Sequence, residues 1–104
     1  MTRKAPRDVE TMAELRTQID AIDGALLALL AERQGHVDRA AELKRAEGIS
    51  AAAPGRVAEV LARVRERAAA AGMDADIAQA MWRVMIAGFI AREERVLGKD
   101  GTDA

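Results

Sequence analysis

The sequence predicts an all-α protein, a three-helix chain with one long and two shorter helices that pairs as an intertwined homodimer. Three observations carry that expectation. Apolar residues recur at alternating spacings of three and four, as in Leu15, Ile19, Ile22, Leu26 and Leu29, which keeps one face of a helix apolar. Half the residues are apolar but only 2% are aromatic, so the core is left to Ala, Leu, Val, Ile and Met, the residues of packed helices. Capping residues punctuate the chain where the periodic runs begin and end, and no strand alternation, internal repeat or low-complexity tract competes with them.

Residues 1–10 carry both charge signs and Pro6, and read as a disordered N-terminal arm. Thr11 with Glu14 three residues on fits a capping box, in which two side chains satisfy free amides at a helix start. Helix 1 then runs from Thr11 to about Glu47, with Gly48 as its C-cap. Gly24 and Gly35 lie inside it and each weakens it by roughly 1 kcal/mol relative to Ala. The apolar phase carries through both glycines, so one helix is expected.

Residues 48–55, GISAAAPG, read as a mobile loop of small residues. Helix 2 begins at Pro54 or Gly55, because proline suits a first helical turn. Its apolar face is Val57, Val60, Leu61, Val64 and Ala68, and Gly72 ends it. Arg63, Arg65 and Arg67 point in different directions among Glu59 and Glu66, the pattern of a solvated face. Asp74 caps helix 3, which runs to about Leu97 before Gly98. One stripe of it holds Trp82, Met85, Ile86, Phe89 and Val96, with Glu93 in the same stripe. The helical domain is thus placed at residues 11–98, and residues 99–104 read as a disordered tail.

The dimer follows from length. About 36 residues of helix 1 rise about 54 Å at 1.5 Å per residue. A compact domain of roughly 100 residues has a radius of gyration near 13 Å, so such a rod projects from it. Helices 2 and 3 are shorter and leave part of the apolar stripe uncovered, which a second copy would cover. The alternative is a monomeric bundle with helix 1 broken at Gly35.

Composition removes several classes of function. A formal net charge of −1 is not the basic balance of a nucleic-acid binder. Without cysteine there is no disulfide, thiol nucleophile or thiolate metal site, and one histidine, His36, makes a histidine metal site or relay a poor fit. Met1 to Asp8 has no apolar signal core, and no apolar run is long enough to span a membrane. A cytoplasmic protein without metal or cofactor is the expectation.

The charges on the apolar faces are the functional signal. Arg33 falls between Leu29 and Val37 in the stripe of helix 1, and Lys44 lies beyond Ala40. A cation stripped of water without a partner costs several kcal/mol, so something anionic should meet that face. Eleven residues separate the two, about 20° of rotation after three full turns and about 16 Å of rise. Two long side chains at that separation suit the ends of a small dianion. Arg16 lies about 42 Å from Lys44 along one helix and suits a site on a partner chain instead. Arg56 stands at the start of helix 2, where anions are favoured. Plainer readings stay open: Arg16 and Arg56 as surface residues, Arg33 and Lys44 snorkelling from the stripe edge, Glu93 pairing with Arg92 or Arg95. His36 and Trp82 read as packing or surface residues.

The order of these residues resembles a known family. Leu15-Arg16-x-x-Ile19-Asp20-x-Ile22-Asp23, then Leu26-Leu27-x-Leu29-Leu30-x-x-Arg33, then Lys44, is similar to the all-helical chorismate mutases. The likeness continues through Arg56 and Asp74-Ala75 and covers roughly residues 13–97. It implies an intertwined homodimer whose active sites each take one arginine from the other chain, here Arg16. It implies that Arg33 and Arg56 bind substrate carboxylates and that Lys44 and Glu93 contact the ether oxygen. Position 93 is usually Gln, with Glu in some relatives; Val57 and Phe89 complete the implied substrate-binding set. The implied reaction is the pericyclic rearrangement of chorismate to prephenate in aromatic amino acid biosynthesis, on a small dicarboxylate and without cofactor or metal.

Other positions depart from the mutase pattern. Val57 stands where many mutases carry a Glu that contacts the substrate hydroxyl, and Ala53 where they carry an acid. The segment Arg56-Val57-Ala58 to Leu61, the Gly72-x-Asp74-Ala75 run and Val37-x-x-Ala40-Ala41 resemble the isochorismate pyruvate lyases, a sister activity on the same scaffold. A mutase acting on an amino-substituted chorismate, and a non-catalytic helical dimer, are the remaining alternatives. All four cations are retained, which a degenerate module would be expected to lose.

Overall fold

The structure is a computed structural model that describes residues 3–98. It holds three helices, α1 (Met12–Glu47), α2 (Pro54–Ala71) and α3 (Ala75–Leu97), and no strand among the described residues. Each expected boundary falls within a residue of the observed one, because each is set by a local cap. The chain forms two compact units, one up to Gly35 and one from His36 onward. The division lies within α1, which is continuous through Gly35 rather than broken there. Residues 99–104, expected as a disordered tail, lie outside the described residues.

Of the arm expected as disordered over residues 1–10, residues 1–2 also lie outside the described residues, and residues 3–10, in the unit up to Gly35, hold local structure instead. Pro6–Asp8 forms a 3-10 turn. The Lys4 amide donates to Gln18 Oε1 at 2.7 Å, and Gln18 Nε2 donates to the Lys4 carbonyl at 3.2 Å. Lys4 Nζ lies 2.5 Å from Glu14 Oε1, and this hydrogen bond holds the Glu14 carboxyl below its ordinary range. Complementary charge and a reciprocal amide pair order a segment whose composition alone suggested mobility. Half of the capping box forms as expected, with Thr11 Oγ1 accepting the Glu14 amide at 3.1 Å. The Glu14 carboxylate reaches the Glu10 amide, one residue earlier than the motif requires. In the single chain Ile19, Leu26, Leu27 and Leu29 are each about half exposed or more, so the apolar stripe of α1 is left uncovered here.

The unit from His36 onward holds the buried residues. They are Ala41, Ala51, Ala53, Leu61, Ala68 and Ala78, together with one charged side chain, Glu93. The helices α2 and α3 pack against each other, and Ala68 and Ala78 are the small residues buried on them. Gly72 ends α2 in the left-handed conformation, and the Met73 amide bonds back to the Ala68 carbonyl at 2.8 Å, closing a Schellman turn. Asp74 caps α3 by accepting the Asp76 and Ile77 amides. Arg65, expected on a solvated face, instead bonds Asp76 and Gln79 of α3 at 3.0 Å each.

The loop after α1 is packed rather than loose. Gly48 adopts φ 70°, and the Ile49 amide reaches the Lys44 carbonyl at 2.9 Å, a second Schellman closure. Ala51 and Ala53 are buried, and Ser50 Oγ accepts the Ala53 amide at 3.3 Å. Ala53 itself sits at φ 35°, ψ 66°, a strained conformation for a residue with a Cβ. No helix among the described residues is long and apolar enough to cross a membrane.

Candidate active site

Helix periodicity sorts the candidate residues. Arg16, Arg33 and Lys44 lie on α1, Arg56 and Val57 in the first turn of α2, and Phe89 and Glu93 on α3. The structure brings Lys44 and Glu93 together: Lys44 Nζ donates to Glu93 Oε2 at 2.7 Å. Glu93 is only 6% exposed, so it is neither on the surface nor paired with Arg92 or Arg95. A carboxylate buried so deeply is costly without a cation, and Lys44 supplies one.

Lys44 has a second partner. Its Nζ donates to the Ala51 carbonyl at 3.1 Å, so the same side chain tethers the loop. An ammonium has three donors and no acceptor. Two are placed on protein oxygens, which leaves one to spare. The α1 C-terminus positions this amine, because the turn at Gly48 folds the loop carbonyls back over the last helical turn.

The remaining candidates are placed as follows. Arg56 is exposed and pairs with Glu59 at 2.8 Å, an acid that also takes Arg63 at 2.9 Å. Val57 is half-buried and lines an open groove of about 610 Å³ with Leu61, Gln79 and Arg83. Phe89 is half-buried on α3. In the unit up to Gly35, Arg33 is half-buried and Arg16 is exposed. The structure thus joins Lys44 and Glu93 directly, and Arg16 is exposed.

One feature of the site had no signal in the sequence. Asp38 and Arg92 form a two-point ion pair, Nε to Oδ1 at 2.7 Å and Nη2 to Oδ2 at 3.0 Å. The hydrogen bond from Arg92 holds the Asp38 carboxyl below its ordinary range, and the Arg92 guanidinium is raised in return. These residues border a cleft of about 410 Å³ shared with Ala41 and Glu93. A separation of 54 residues leaves no local pattern from which the pairing can be read.

The chain is similar in sequence to known proteins. The family profile described as chorismate mutase type II matches residues 15–94. Over 78 residues the chain is 32% identical to a chorismate mutase of Methanocaldococcus jannaschii, covering 75% of this chain and 79% of that protein. It is 35% identical over 88 residues to the T-protein of Enterobacter agglomerans, covering 84% of this chain. The chain spans about a quarter of that longer relative, 24% of its length. The matched range includes Arg16, Arg33, Lys44 and Arg56, charged residues on which the resemblance was based, and also Glu93. On that match, over an all-helical chain, this protein belongs to the chorismate mutase type II family.

Proposed function

We propose that the protein is a chorismate mutase, converting chorismate to prephenate within aromatic amino acid biosynthesis, and that it acts in the cytoplasm as a homodimer. The observation that carries this reading is the Lys44–Glu93 contact, with one ammonium donor left over in a largely buried setting. In the rearrangement one C–O bond breaks while one C–C bond forms, and negative charge grows on the ether oxygen. The spare donor of Lys44 stabilises that charge, with Glu93 holding the ammonium in place beside it. Arg33 and Arg56 hold the two carboxylates so that the reactive diaxial conformer is favoured. No proton is gained or lost, so no general base is required.

The apolar stripe of α1 supports the dimer. Leu26 is 48% and Leu29 62% exposed in one chain, an arrangement that a second copy relieves. Arg16, exposed on the same helix, then completes the site of the other chain.

A second reading keeps the scaffold and changes the substrate. Val57 and the buried Ala53 leave the start of α2 without the acids many mutases carry there, which favours isochorismate pyruvate lyase activity. A mutase acting on an amino-substituted chorismate is the third possibility. Purified protein is incubated separately with chorismate and isochorismate, and prephenate, salicylate and pyruvate are followed. Prephenate from chorismate is expected. Salicylate with pyruvate from isochorismate establishes the lyase instead, and turnover of neither overturns both readings.

A further inference from the structure

Two ion pairs join α1 to α3, and they lie on opposite sides of one contact. Ala41 is buried at 3% exposure and lines the same cleft as Asp38, Arg92 and Glu93. On a regular helix Asp38, three residues earlier, and Lys44, three later, lie about 60° to either side of Ala41 and about 9 Å apart along the axis. Across from them, Arg92 and Glu93 are consecutive on α3 and so diverge by about 100°. Asp38 takes Arg92 on one flank, and Lys44 takes Glu93 on the other. Turning α3 about its own axis shortens one pair as it lengthens the other. The rotation of α3, and with it the place of the Glu93 carboxyl, is therefore set by both pairs together.

The two pairs differ in what they can hold. Lys44 is a single-point contact that also grips the Ala51 carbonyl, whereas Arg92 grips both oxygens of Asp38 in a planar fork. Arg45 makes a further link by donating to the Val96 carbonyl near the end of α3, but it fixes that end of the helix rather than its rotation. The other charges at this seam are Glu42, paired with Arg39, and Arg95, which bonds the Ala91 carbonyl of its own helix.

We propose that Asp38 and Arg92 are positioning residues, a rotational brace on the outer flank of the α1–α3 contact that holds Glu93 against Lys44. The effect on turnover rests on the mutase or lyase reading above; the effect on the Lys44–Glu93 contact does not.

Arg92→Ala is the cleaner single variant, because Asp38→Ala leaves Glu42, one turn along α1, as a second acceptor in the same cleft. Two readouts apply. The first is the ¹H–¹⁵N resonance of the Lys44 ammonium in the free protein, slow to exchange while it is held by Glu93 and Ala51. The second is kcat against KM. In Arg92→Ala the ammonium resonance is expected to broaden. Turnover is expected to fall at least about tenfold with KM within about threefold, as a misplaced catalytic group does. The reversed pair, Asp38→Arg with Arg92→Asp, should restore both. An unchanged ammonium resonance in folded Arg92→Ala overturns the brace, and so does a folded reversed pair that restores neither readout. Should Arg92→Ala fail to fold, Arg92→Lys keeps the charge and loses the two-point grip. Broadening is expected there too, and an unchanged resonance overturns the proposal. A wild-type protein that turns over neither substrate removes the proposed function, while the ammonium resonance still decides the brace.

Discussion

Lys44 and Glu93 are 49 residues apart in sequence, yet the ammonium of one lies 2.7 Å from the carboxylate of the other in the most buried polar position described. The pairing joins the end of α1 to the last turns of α3. It also links both helices to the loop through the Ala51 carbonyl. The candidate site is therefore anchored by the same contact that holds this part of the fold together.

Loss of Lys44 should damage both activity and stability. Lys44→Ala removes the charge beside the breaking C–O bond, and turnover should fall about 10²-fold or more, with much less effect on binding of a ground-state ligand. It also leaves Glu93 buried without its cation, at a cost of roughly 2 kcal/mol, a value lowered from the fully buried case because Lys44 is 21% exposed. Steady-state kinetics and denaturant unfolding measure the two effects. Equal losses in turnover and ground-state binding would reduce Lys44 to a general anion attractor.

Glu93→Gln tests what the ether oxygen needs beside Lys44. An amide offers a hydrogen-bond donor, whereas a carboxylate repels the charge that grows there. The Gln variant should turn over at least as fast as wild type, and Glu93→Ala at least about tenfold more slowly. Steady-state kcat of the three proteins measures this. A Gln variant as slow as the Ala variant would assign Glu93 a structural role alone.

The cross-dimer role of Arg16 is open to complementation. Arg16→Ala and Arg33→Ala chains should each be inactive, with Arg33→Ala losing about 2–4 kcal/mol of transition-state stabilisation. Mixed and refolded, they form heterodimers in which both lesions fall in one site and the other is intact. Random pairing of two-fold dimers then returns about a quarter of wild-type turnover. No recovery, with heterodimers confirmed by mass, would place Arg16 outside the site.

The Asp38–Arg92 pair should give stability a particular dependence on acid. Hydrogen bonding to Arg92 holds the Asp38 carboxyl below its ordinary range in the folded chain. Its contribution is therefore fully present above the unfolded value near 3.9, and is lost as pH falls through the lower folded value. Wild type should exceed Asp38→Asn in thermal stability at neutral pH, and the gap should close below about pH 4. A gap independent of pH across that range would show that Asp38 contributes through something other than its charge.

The helices were legible because their causes are local. The spacing of Leu15, Ile19, Ile22 and Leu26, the Asp74 cap and the glycines at 48 and 72 act within a turn or two of chain. Lys44 and Glu93 were legible as out-of-place charges, since each interrupts an apolar stripe, and the order of motifs named the family. That they meet one another rests on tertiary packing, which also pairs Arg92 with Asp38 rather than with a neighbour on its own helix.

What the sequence by itself determined is the set of helices, their ends and the charges carried on their apolar faces. Only the tertiary structure decided how those charges are matched. It showed that the 3–10 arm lies along α1 through Lys4, Glu14 and Gln18, and that the loop after α1 is packed with Ala51 and Ala53 inside. The physical reason is range. Caps and periodicity act over a few residues of backbone, whereas an ion pair between distant segments exists only once folding brings the two within reach.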